Sequence, residues 1–79
     1  MNQSDRSFEL GQLYCDRGEF VQAIPYLLSA ASGYFEEKNK VYFFATNLEP
    51  VQKDFIKEKF YTTRIIATKA AFKSLKIFN

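Results

Sequence analysis

The sequence contains no histidine and no tryptophan, and only one cysteine, one methionine, two prolines and three glycines in 79 residues. Without histidine the commonest general base and the commonest neutral metal ligand are both missing. Cys15 stands alone, so no internal disulfide forms, and a lone Cys without His makes neither a thiol nucleophile pair nor a zinc site. Gly11, Gly18 and Gly33 are isolated from one another, which excludes a phosphate-cradling glycine loop. Glu36 and Glu37 are adjacent, and neighbours on a helix point apart, so they read as a solvated helix end and not as a carboxylate pair. These absences lead us to expect a non-enzyme with no cofactor and no metal. No apolar run reaches the length of a membrane span and the polar start MNQSDRS does not resemble a signal peptide. Together with the single cysteine, this gives the expectation of a cytoplasmic protein.

What is abundant is apolar and aromatic. The chain is 47 % hydrophobic, with 9 Phe and 5 Tyr. That is enough to fold one domain over 1–79, near the lower size limit for a self-sufficient core. So many aromatics in so short a chain leave some partly exposed unless a partner, or a second copy, covers them. The net charge of +2 is unevenly spread: residues 1–39 hold 3 basic against 6 acidic side chains, and residues 40–79 hold 8 against 3. An acidic half packed beside a basic half is the favoured reading. The competing one is a basic surface for an acidic partner, a membrane or nucleic acid.

Helical periodicity runs through the first half. Ser4 or Asp5 is placed to cap a helix over 5–17, with Phe8, Leu10, Leu13, Tyr14 and Cys15 clustered on one side. Gly18 supplies the left-handed residue that ends it. A second helix begins near Glu19 and presents Phe20, Ala23, Ile24, Leu27, Leu28, Ala30, Ala31, Tyr34 and Phe35 as one broad apolar face. Pro25 falls on its solvent side within the first two turns. Glu37-Lys38-Asn39-Lys40 reads as a polar break, 41–47 as a short apolar helix or turn, and Asn47-Leu48-Glu49-Pro50 as a helix start with Pro in the first turn. From Val51 to Phe78 nothing breaks a helix, yet the polar face shifts from Lys53, Asp54, Lys57 and Glu58 to Lys69, Lys73 and Lys76. One long helix touching different neighbours is preferred over two. The predicted fold is all-α: an antiparallel helical hairpin, a short apolar helix and a long C-terminal helix closing over the hairpin.

Leu10-Gly11, Tyr14, Gly18, Ala23, Leu27 and Ala30 fill the slots of L-G-x2-Y-x3-G-x4-A-x3-[FLY]-x2-A, and residues 4–37 thereby resemble one tetratricopeptide (TPR) repeat. The match departs at Ser7, where an aromatic is expected, and at Phe35, where the repeat closes on Pro. A second, degenerate repeat is sought from Tyr42 onward. The resemblance implies two touching helices, with Gly11 and Ala23 at the contact and Tyr14 filling the gap between them. It also implies ligand contacts from the first helix, here Phe8, Gln12, Cys15 and Asp16. The Lys and Asn by which some family members hold a terminal carboxylate are replaced by Phe8 and Gln12, which argues against that ligand. Phe20-x2-Ala23-Ile24-x2-Leu27-x2-Ala30 with a later lysine-rich helix also resembles the three-helix microtubule-interacting-and-trafficking (MIT) domain. That resemblance implies recruitment of short helical motifs in membrane trafficking.

The function expected from this reading is protein–protein interaction, as a small adaptor, chaperone or assembly module. A partner helix or peptide would occupy an inter-helix groove to which Phe60 and Arg64 of the last helix also contribute. A homo-oligomer, or membership of a larger assembly, is expected because repeat hairpins seldom bury enough surface alone. Nucleic acid is the weaker alternative. Lys53, Lys57, Lys59, Arg64, Lys69, Lys73 and Lys76 share the last stretch with Phe60, Tyr61 and Phe72, but they form no dense run.

Overall fold

The computed structural model describes residues 2–43 and 50–78, and the side chains of 41–43, 50–53 and 77–78 are not part of that description. Three helices account for it: α1 (Gln3–Asp16), α2 (Phe20–Phe43) and α3 (Pro50–Phe78). No strand occurs among the described residues, and no helix is long and apolar enough to cross a membrane. The fold class is therefore all-α, as the periodicity predicts.

The turn after α1 forms as the glycine requires. Gly18 sits at φ 76°, its N–H donates to the Cys15 carbonyl at 3.0 Å, and the Glu19 N–H donates to the Tyr14 carbonyl at 2.8 Å. Those bonds satisfy carbonyls that the end of α1 leaves over. At the start of α1 the cap is Asn2, whose side-chain oxygen accepts from the Asp5 N–H at 2.8 Å. This corrects the assignment to Ser4 or Asp5, and the reason is occupation. Ser4 is pressed against Gly33, where a Cβ would collide with its hydroxyl, and the Asp5 carboxylate is turned toward Tyr34.

α1 and α2 run antiparallel: Gly11 faces Leu27, Tyr14 stacks on Tyr26 at 5.5 Å, and Phe8 tilts against Tyr34 at 6.5 Å. A Cβ on Gly11 would meet the Leu27 side chain at 2.6 Å, so this glycine sets the helix separation. Ala23, Leu27, Ala30, Tyr34 and Ala70 are buried, with Phe8, Tyr14, Cys15, Phe20, Ile24, Ile66 and Ala67 packed against the cluster of Ala23, Leu27 and Ala70. Burying Leu27 completely contributes about 2–3 kcal/mol.

Two expectations are overturned within α2. The helix does not break at 37–40 but continues to Phe43, so 41–43 are its last turn and not the start of a separate short helix; residues 44–49 lie outside the described residues. Lys and Glu extend a helix readily, and the polarity there marks the point where α2 passes beyond the start of α1. The apolar face is also narrower than predicted. Leu28 and Phe35 lie at its edge and are exposed, as is Leu13 on α1. Pro25 is exposed inside α2, as predicted.

α3 is one helix, begun by Pro50 at its first position, and runs antiparallel to α2 and parallel to α1. No second hairpin follows α2 among the described residues. At a rise of about 1.5 Å per residue, the 14, 24 and 29 residues of the helices span about 21, 36 and 44 Å. Since Asp5 lies beside Tyr34 and Lys59, the last nine residues of α2 and the first nine of α3 run on past the level of Asp5, the third residue of α1.

Candidate functional site

The parallel course of α1 and α3 over α2 leaves a groove between them of about 400 Å³. Phe8 and Tyr34 contribute apolar surface, Phe55 contributes a ring that is 60 % exposed, and Asp5, Glu9, Glu58, Lys59, Thr62 and Thr63 complete the lining.

One set of contacts ties the three helices together at this groove. The Tyr34 hydroxyl donates to Asp5 Oδ1, and Lys59 Nζ lies 3.4 Å from the same oxygen. The Lys59 ammonium also sits 5.5 Å from the centre of the Tyr34 ring and 5.0 Å from that of Phe55, within cation–π range. The Tyr34 hydrogen bond holds the Asp5 carboxyl below the usual carboxylate range, and Lys59 adds to this against the opposing effect of burial. Burial, followed by the Asp5 hydrogen bond and charge, pushes the Tyr34 phenol well above its usual value. Asp5 therefore stays ionised and Tyr34 neutral across the physiological range. Thr63, almost fully buried, donates to the Lys59 carbonyl at 2.7 Å. Ser74 likewise donates to the Ala71 carbonyl at 2.7 Å, so the buried hydroxyls of α3 are satisfied within their own helix.

The six residues expected to form one groove are separated. Phe8 lines the α1/α3 groove. Cys15 packs against the core, where burial and then Asp16 raise its thiol pKa and keep it protonated. Gln12 is half-buried and Asp16 is exposed at the far end of α1. Phe60 meets Phe35 at 5.5 Å and Tyr61 at 5.2 Å, with Lys38 over the Phe35 and Phe60 rings. Arg64 lies with Tyr61, Ile65, Thr68, Lys69 and Phe72 along another side of α3. The hairpin residues do come together: Gly11, Ala23, Leu27 and Ala30 are all buried, and Tyr14 packs beside them.

Sequence reasoning missed Asp5, Tyr34, Phe55 and Lys59 as a group. The sequence places Asp5 at the cap, Tyr34 on the apolar face of the second helix and Lys59 in the basic last stretch, and nothing in their spacing of 29 and 54 residues links them. Gly33 had a readable signal, since it follows one turn after Ala30 on the small-residue side of α2.

Compared with protein-family models, with curated proteins and with solved structures, the chain gives no significant match.

Proposed function

We propose that this is a protein–protein interaction module of TPR-like build, in which the α1/α3 groove receives a segment of a partner protein. The observation that carries the reading is the exposed Phe55 ring at a groove with Phe8 and Tyr34 in its lining. An exposed ring beside partly buried apolar surface offers an anchor for a partner's apolar side chain. The groove borders the first helix, the element from which the TPR resemblance draws ligand contacts. Glu9 and Glu58 on its lining form no ion pair among the described residues, so a segment with one apolar anchor and a basic neighbour complements it. Binding, and not proton transfer, suits Asp5 and Tyr34, whose shifts fix both in their ordinary charge states near neutral pH. The MIT-type alternative draws support from the 29-residue α3 and assigns the same class of work.

The test is titration of isotope-labelled protein with short synthetic peptides that pair Leu or Phe with Arg. Amide shifts are expected at Phe8, Tyr34, Phe55 and Thr62, with affinity falling about tenfold in Phe55→Ser, as for loss of an aromatic anchor. Shifts confined to other residues, or unchanged affinity in Phe55→Ser, would refute the groove assignment.

A further inference from the structure

α3 carries two apolar faces, and only one of them is used by the bundle. The inner face is Thr63, Ile66, Ala67, Ala70 and Ser74, buried or half-buried against the hairpin. On the opposite side of the helix, about 180° away at 100° per residue, lie Tyr61, Ile65, Thr68, Phe72 and Leu75. All five are exposed, with Ile65, Phe72 and Leu75 at 55, 65 and 57 %. Their spacing alternates four and three residues without interruption. That is the 3.5-residue repeat of a coiled-coil seam, in which Ile65 and Phe72 take the a positions and Tyr61, Thr68 and Leu75 the d positions.

The charges beside this seam have one sign. From Tyr61 to Lys76 every charged side chain is basic, namely Arg64, Lys69, Lys73 and Lys76, and carboxylates occur on α3 only before it, at Asp54 and Glu58. Lys73 is turned inward over the Phe20 ring at 5.1 Å. The other three sit at the e and g positions flanking the seam, where coiled coils place the charges that choose a partner. Pairing α3 with its own copy, parallel or antiparallel, brings these cations together and is disfavoured. α1, the acidic helix of the chain, exposes Leu13 as its one large apolar residue and supplies no matching stripe.

We propose that the outer face of α3 docks an amphipathic helix of another protein, with apolar residues on a heptad repeat flanked by Asp or Glu. This surface is separate from the α1/α3 groove and would stand if that assignment failed.

The test uses two synthetic 21-residue helices, each with Ile at a and Leu at d. One carries Glu and the other Lys at every e and g position, so neither pairs with itself, and binding to the full chain is read by fluorescence anisotropy. The Glu peptide should bind at least about tenfold more tightly than the Lys peptide at low salt, since several flanking charge pairs differ between them. Phe72→Ser and Ile65→Ser should each weaken it about tenfold with the helical circular dichroism unchanged. Lys69→Glu should narrow the difference between the peptides, and Phe55→Ser in the groove should leave both unaffected. No binding of either peptide, or equal binding of both, overturns the proposal. So does a dimer in light scattering that Phe72→Ser returns to monomer, since a second copy then covers the seam. Binding of an oligonucleotide to the seam with no peptide binding assigns the cations to phosphate instead and overturns it equally.

Discussion

The α1/α2 hairpin and α3 have similar proportions of apolar residues but use them differently. The hairpin spends its small residues on one contact, with Gly11 against Leu27 and Gly33 against Ser4, and its specificity lies in how closely two backbones approach. α3 has no such contact. It rests on the hairpin through Ile66, Ala67 and Ala70 and turns a second row of large side chains outward. A helix with one partner writes a single stripe into its sequence; a helix with two faces writes two superposed stripes that cancel when averaged around the axis.

Four substitutions sharpen that contrast. Leu27→Ala removes a fully buried side chain from the centre of the hairpin and should cost about 3 kcal/mol, enough to leave so small a protein largely unfolded in thermal melts. Gly11→Ala drives a Cβ into the Leu27 side chain and should cost about 1–2 kcal/mol, overpacking outweighing the gain in helix propensity; a rise in melting temperature would show that α1 can move off α2.

Tyr34→Phe removes the hydrogen bond to Asp5 and should cost about 1 kcal/mol near neutral pH. It should also change the shape of the stability–pH curve. The lowered pKa of Asp5 means that its contribution is present above the ordinary carboxylate value of about 4 and is lost as the pH falls through the folded-state pKa. The raised pKa of Tyr34 means that its contribution is present below the ordinary phenol value of about 10 and is lost as the pH rises beyond it. Denaturant titrations across pH should find the alkaline loss reduced in Tyr34→Phe and the acid loss diminished. The smallest effect belongs to α3: Phe72→Ser, at a side chain 65 % exposed, should change stability by less than about 0.5 kcal/mol. A loss as large as that of Leu27→Ala would mean the outer row is part of the fold.

The same contrast explains which parts of the structure were legible in advance. Gly18, Leu27 and Ala30 are read correctly because a positive φ, a buried stripe and a close helix contact each leave a local mark. The end of α2 is not legible in Glu37–Lys40, because polarity reports where a helix leaves cover as readily as where it stops. The cap is not legible because Asn2, Ser4 and Asp5 are all good capping residues, and contacts with Gly33 and Tyr34, remote in sequence, decide among them. The groove was the least legible part. Phe8 is legible from the first helix and Tyr34 only as part of the apolar face of α2, whereas Phe55 and Lys59 reach the groove through the packing of α3.

The central position of α2 has a consequence for how the chain folds. α2 packs on both α1 and α3, and each of those contacts is made with the next helix in sequence. Most contacts are therefore local, the condition for folding in microseconds to milliseconds. The Asp5–Lys59 pair joins α1 to α3, helices that are not neighbours in sequence, across 54 residues, and it can close only after α2 has gathered the other two helices. An interaction that forms late acts as a latch: removing it leaves the folding rate nearly unchanged and speeds unfolding.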